Sequence, residues 1–253
     1  MKADRCRRVL PVLLGITLAS APLARAGEFT VNPLRVALDQ RNKAAEVVIR
    51  NDDTTPLRMQ VQAMGWSQDG EGRDRYEPAE GLLYFPRVLE IPPGESRTVR
   101  VGVRAAPVTR EEAYRLFLEE MPPPNAPTAA SGASLRVFLR VGVAVFVGPA
   151  SRSTAAETIE LGVQRGTVRW SVRNTGSVHV RADRFELIGY ASDGSRLFGH
   201  EIPDRYVLAG VTKTVQHDLG PETCARLARL EATLQAEGVE ARRSLDVAPR
   251  SCQ

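Results

Sequence analysis

The stretch Leu135-Arg136-Val137-Phe138-Leu139-Arg140-Val141-Gly142-Val143-Ala144-Val145-Phe146-Val147 decides the reading of this chain. Its odd positions are all aliphatic: Leu135, Val137, Leu139, Val141, Val143, Val145 and Val147. Its even positions mix Arg136, Phe138, Arg140, Gly142, Ala144 and Phe146. Successive side chains of a strand point to opposite faces, so a period of two predicts a β-strand with one wholly aliphatic face. Its 13 residues are long against the usual strand of about 5–6. On periodicity alone, such a face belongs in the core of the strand's own domain. A long strand of this kind is also a liability at a sheet edge, where it templates pairing with another chain. Gly148-Pro149 ends it and marks an interdomain elbow.

Upstream, the chain reads as further strands. Ala45-Glu46-Val47-Val48-Ile49-Arg50 stops at the turn cluster Asn51-Asp52-Asp53, and Leu57-Arg58-Met59-Gln60-Val61-Gln62-Ala63 alternates apolar and polar. Pro92-Pro93-Gly94 is a turn, after which Arg97 to Arg104 puts valines on one face. Asp69-Gly70-Glu71-Gly72-Arg73-Asp74 has the acids of a calcium loop but Asp74 where that loop needs glycine, so it reads as a hairpin loop. Pro122 to Gly132 is a Pro/Ala/Ser/Gly loop. Downstream, Thr167 to Arg173 and Val178-His179-Val180 flank the turn Asn174-Thr175-Gly176. Leu227, Leu230 and Leu234 fit helical spacing, while Leu230, Ala232, Leu234 and Ala236 fit a strand. Periodicity leaves both readings open there. Strands about ten residues apart with turns between them predict an all-β fold, two immunoglobulin-like β-sandwich domains in tandem.

The 253 residues carry a formal charge of +4, with 43% hydrophobic and 25% charged side chains. That mix excludes collagen-like, coiled-coil and disordered chains. A pI near 9.2 invites a nucleic-acid reading, but the excess charge sits at the start. Met1 to Arg8 is basic, Val9 to Leu18 is apolar, and Ala24-Arg25-Ala26 is a cleavage-type ending. These are the parts of a secretory signal peptide, residues 1–26. The apolar run falls short of the roughly 18–20 residues a spanning helix needs. Removing Lys2, Arg5, Arg7, Arg8 and Arg25 with Asp4 takes 34 basic and 30 acidic residues to 29 of each. The whole-chain electrostatic case for nucleic acid disappears with the leader. The domains expected are then 27–148 and 149–253. Export leaves Cys224 and Cys252 in an oxidising compartment, where an even count suggests a disulfide, two free thiols being the alternative.

Catalytic chemistry has no foothold in the sequence. No P-loop, G-x-G-x-x-G, H-E-x-x-H, C-x-x-C or G-x-S-x-G motif occurs. His179, His200 and His217 are far apart in sequence and read as surface or turn residues rather than metal ligands or bases. Glu111-Glu112 and Glu119-Glu120 point to opposite faces if they lie on strands, whereas acid–base pairs must converge. The expectation is a non-enzyme with no cofactor and no metal.

The order of motifs carries a resemblance. The Pro-Pro-Gly turn comes before an Arg/Val strand, then Tyr114-Arg115-Leu116-Phe117-Leu118-Glu119-Glu120-Met121-Pro122-Pro123, then the long strand. Together these resemble the PapD-like periplasmic pilus-assembly chaperones of the chaperone–usher pathway. Val172-Arg173-Asn174-Thr175-Gly176-Ser177-Val178-His179-Val180 is similar to the archaic branch of that family.

The resemblance implies a periplasmic chaperone that binds pilus or fimbrial subunits by donor-strand complementation and passes them to an outer-membrane usher, without ATP. Leu135, Val137, Leu139 and Val141 would be the donor side chains. The family holds the subunit's C-terminal carboxylate with a basic pair. Its first member, an Arg on the first strand, matches Arg35. Its second, a Lys on the G strand, falls at Ala144, so another cation must serve, with Arg115 preferred and Arg140 in reserve. The alternative for each arginine is a solvated strand residue. Glu111 matches a family acid in an interdomain salt bridge, but the family's Arg partner falls at Gly148, so that bridge is not carried over. The resemblance also favours a strand over residues 230–236. It leaves open whether the free chain caps itself as a dimer. The rival reading is a secreted two-domain structural or adhesive protein that keeps the long strand within its own fold.

Overall fold

A computed structural model of the chain describes residues 28–104, 108–122, 137–203 and 205–252. The leader expected over residues 1–26 and the donor residue Leu135 lie outside these. Among the described residues no helix is long and apolar enough to cross a membrane.

The first ten strands are β1 (Phe29–Asn32), β2 (Arg35–Leu38), β3 (Ala44–Asn51), β4 (Leu57–Gln68), β5 (Asp74–Pro78), β6 (Leu82–Phe85), β7 (Val88–Ile91), β8 (Ser96–Val103), β9 (Glu112–Glu120) and β10 (Arg140–Val147). One sheet runs β1-β3-β8-β6; the other runs β2-β10-β9-β4-β5, with β7 also on β4. The chain changes sheets between β1 and β2 at a cis Asn32–Pro33 bond. That crossing delivers Arg35 to the edge of β10, the one parallel pairing among the described residues of this domain. Alternation builds the core: Val47 and Ile49 of β3, Met59 and Val61 of β4, Val99 and Val101 of β8, and Leu116 and Leu118 of β9 meet between the sheets.

The second domain contains β11 (Ala156–Gln164), β12 (Thr167–Asn174), β13 (Val180–Arg181), β14 (Arg184–Tyr190), β15 (Arg196–Glu201), β16 (Tyr206–Val207), β17 (Thr212–Asp218), α1 (Pro221–Arg226), β18 (Arg229–Ala236) and β19 (Val239–Asp246). Its sheets are β11-β12-β17 and β15-β14-β18-β19, with a short β13–β16 ribbon. Trp170 and Phe185 meet edge to face at 4.9 Å in its core. The segment open to two readings is the strand β18, with Leu230, Ala232 and Leu234 fully buried. Helical turns flank the β18–β19 hairpin on either side, in α1 before it and in a 3-10 turn over Pro249–Cys252 after it. Cys224 of α1 is disulfide-bonded to Cys252, which ties the helix to the end of the described chain.

One buried polar residue recurs in both domains. Asn51 ends β3 and donates its amide to the carbonyls of Thr55 and Ile91, while its Oδ1 accepts from Asp53 N–H. Asn174 ends β12 and donates to Val178 and Val207, accepting from Gly176 N–H. Asn51 pins the turn after its strand to β7 of the opposite sheet and Asn174 pins its own to β16 of the short ribbon; in each the amide N–H groups and Oδ1 have partners, so burial leaves no unpaired polar group.

Candidate functional site

Strand β10 changes environment along its length. Val143, Val145 and Val147 enter the core of the first domain, whereas Val137 is 55% exposed, Leu139 is 36% exposed and Val141 is only partly buried. The ladder is also shorter than the 13-residue strand expected from the alternation, because pairing starts at Arg140. The cause lies in the neighbours. Strand β9 ends at Glu120, opposite Leu139, whose carbonyl accepts from Glu120 N–H at 2.9 Å. On the other side β2 reaches only Ala144, whose N–H donates to Leu34 O at 3.0 Å. Backbone groups alternate between edges, so those of Phe138 and Arg140 face an edge that no strand occupies among the described residues. The two sequence readings of the aliphatic face therefore divide at Val141–Val143.

The even-numbered face of β10 turns toward the second domain. Ala144 is the register partner of both Arg35 on β2 and Arg115 on β9. Register partners share a face, so the two arginines stand on either side of a buried alanine in one row. Arg35 is exposed and makes no ion pair among the described residues. The Arg115 guanidinium lies 3.8 Å from the Trp66 ring centre and 5.8 Å from that of Tyr206, and its Nη1 donates to Gly142 O at 3.5 Å. Gly142 leaves room for the Phe117 ring opposite it, from which a Cβ there would lie 3.2 Å. The Nε of Arg115 is buried without a hydrogen-bond partner. Arg140, the reserve candidate, is engaged elsewhere: it lies 3.9 Å over Phe117 and 3.6 Å from Glu119, two same-face positions along β10 from Ala144 and the Arg35–Arg115 row.

Residues from the second domain complete the surroundings. Arg35 and Arg181 both line two hollows, one of about 530 Å³ with Leu34 and Tyr206 and one of about 390 Å³ with Arg152 and His179. Trp66, Ala144, Phe146 and Leu208 form a small buried cluster across the domain joint. Glu111 holds that joint. Its N–H donates to Ser177 O at 2.9 Å, and its Oε2 receives His179 N–H at 2.8 Å and pairs with His179 Nδ1 at 2.6 Å. The His179 ring stacks on Phe146 at 3.7 Å. Arg152 Nη2 lies 3.8 Å from the other oxygen, Oε1.

This corrects one sequence expectation. His179 is no surface residue lacking an acid, because folding brings it to Glu111 from 68 residues away. His200 and His217, distant in sequence, stack at 4.3 Å. Trp66, Arg181 and Tyr206 were absent from the expected site. Trp66 and Phe146 did carry a signal: each is a large aromatic out of phase with the core-facing positions of its own strand.

Residues 28–153 match the family described as pili and flagellar-assembly chaperone, PapD N-terminal domain. A comparison with curated protein sequences found no match. Among solved structures, the chain is similar to the CsuC–CsuE chaperone–tip adhesion subunit pre-assembly complex from archaic chaperone-usher Csu pili of Acinetobacter baumannii. The TM-score is 0.59 at 16% identity, over 87% of this chain and 98% of that one. The Salmonella enterica SafA pilin in complex with the SafB chaperone gives 0.54 at 16%, over 88% and 98%. The Pseudomonas aeruginosa CupB2 chaperone gives 0.52 at 18%, over 87% and 100%.

Proposed function

Because the chain belongs to the PapD-like pilus-assembly chaperones, we propose that it captures pilus subunits with the open part of β10 and the segment before it. The carrying observation is the aliphatic face that enters its own core only from Val143 onward, while Val137, Leu139 and Val141 before it stay accessible. An incomplete subunit sandwich offers these side chains a groove, and each aliphatic buried contributes roughly 1.5–3 kcal/mol before ordering costs. Leu135, outside the described residues, would extend the series. Backbone pairing along the open edge sets register and covers a surface that otherwise invites aggregation.

The subunit's terminal carboxylate is held between Arg35 and Arg115. Guanidinium forks grip both carboxylate oxygens, and the Trp66 ring keeps that of Arg115 flat and oriented. Two arginines flanking Ala144 thus take the place of a lysine on β10. This arrangement supports the archaic branch. Delivery to an outer-membrane usher, export by a cleaved leader over residues 1–26, domain limits of 27–148 and 149–253, and self-capping of the free chain as a dimer belong to the same proposal. The chemistry is binding, and no step calls for a catalyst. Periplasmic co-expression with a pilin-like subunit tests it: the two should co-purify, and a chaperone that elutes alone would overturn it. A structural protein keeping this strand within its own fold would bury Val137 and Leu139, which are exposed.

A further inference from the structure

Arg181 ends the short strand β13 and is exposed. Its cross-strand partner is Tyr206, whose ring centre lies 5.8 Å from the Arg115 guanidinium. Register partners share a face, so Arg181 stands on the face of the ribbon that Tyr206 turns toward Arg115. The ribbon is tied to the first domain by Gln68, at the end of β4. Its Nε2 donates to Tyr206 O at 3.1 Å and its Oε1 accepts from Leu208 N–H at 3.0 Å. The placement of Arg181 relative to Arg35 therefore rests on bonds that cross the domain joint.

Arg35 from the first domain and Arg181 from the second both border the hollow of about 530 Å³, and no acidic side chain lines it. Asp183 and Glu237 line the smaller hollow, yet neither pairs with Arg35 or Arg181 among the described residues. Two guanidiniums from separate domains thus face one space with no carboxylate of the chain between them. Much of the remaining wall is apolar, formed by Val31, Pro33 and Leu34, of which Leu34 is 60% exposed. A small inorganic anion would leave that wall uncovered. The end of a polypeptide answers both features, with a carboxylate for the guanidiniums and a last side chain for Pro33 and Leu34.

On the reading of the chain as a pilus-subunit chaperone, we propose that Arg181 is a third binding residue for the subunit's terminal carboxylate. It closes on that carboxylate from the second domain while Arg35 and Arg115 hold it from the first. The anchor then spans the joint, and a subunit ending in a basic residue is disfavoured by repulsion from Arg35 and Arg181.

The test is a competition in the periplasm. A pilin-like subunit is co-expressed with equal amounts of two differently tagged full-length chains, and the subunit recovered on each is quantified. The parent should hold about tenfold more subunit than R181Q, and R181Q should melt with the parent because Arg181 is exposed. Between R35A and R35A/R181Q the ratio should shrink to below about threefold, since two residues gripping one carboxylate are coupled. Equal capture by parent and R181Q, in an experiment where the parent still outcompetes R35A, overturns the role of Arg181 alone. A tenfold ratio that persists in the R35A background also overturns it, because Arg181 would then act at another place. Capture of no subunit by any chain would overturn the chaperone reading itself and this inference with it.

Discussion

The Arg115 guanidinium lies 3.8 Å from the centre of the Trp66 ring, so a cation bordering Ala144 is oriented before any carboxylate arrives. Charge-assisted bonds of this kind are worth about 1.5–3 kcal/mol each. Arg115→Ala and Arg35→Ala should therefore each weaken subunit capture by about tenfold to a hundredfold, measured with purified subunit by calorimetry. Arg115→Lys should recover little, since an ammonium lacks the planar fork. Unchanged affinity in both alanine variants would remove the anchor.

Ala144 is 1% exposed between two guanidinium-bearing strands. Ala144→Lys should lower thermal stability by at least the overpacking cost of about 1–3 kcal/mol, because the new ammonium enters a closely packed cationic row. A variant as stable as the parent would show that the row is wider than described.

Val137 and Val145 lie on one face of the same segment yet should respond oppositely. Val137→Asp, at an exposed position, should leave the monomer's stability within about 0.5 kcal/mol and abolish capture. Val145→Ala, at a position with no exposure, should cost about 2–3 kcal/mol in denaturant unfolding. Unfolding of Val137→Asp would contradict the division of β10.

His217 lies below its ordinary value of 6.5, first because burial disfavours the charged ring and then because His200 repels it, with Asp218 opposing. A histidine depressed in the folded state stabilises while neutral and loses that contribution as pH falls below 6.5. The melting temperature should fall between about pH 7.5 and about pH 5, and His217→Gln should reduce the fall. The lowered carboxyls of Asp39, Asp69 and Asp193 act in a separate window, with stability lost only on acidification below 3.8. Equal falls in parent and variant would remove His217 as the cause.

The strands were legible because alternation is local: in β4, β8 and β12 the residues that alternate in sequence are those that meet in the cores. The point where β10 leaves its core was not legible, because it depends on where β9 and β2 stop, and those ends are set by Pro122 and the crossing at Pro33. Arg35 and Arg115 were found by resemblance, but their common register with Ala144 needs the paired strands. The Glu111–His179 contact joins distant positions and left no local pattern. Asn51 and Asn174 sat in recognised turns, yet their burial follows only from β7 and β16, whose carbonyls accept their amides.

Amide hydrogen exchange at Phe138 and Arg140, with and without bound subunit, tests the donor role of β10 most directly. These amides face the open edge, so they should exchange rapidly in the free monomer and become strongly protected when a subunit strand pairs there. Protection already present in the free monomer, or rapid exchange that persists in the complex, would contradict the donor-strand account.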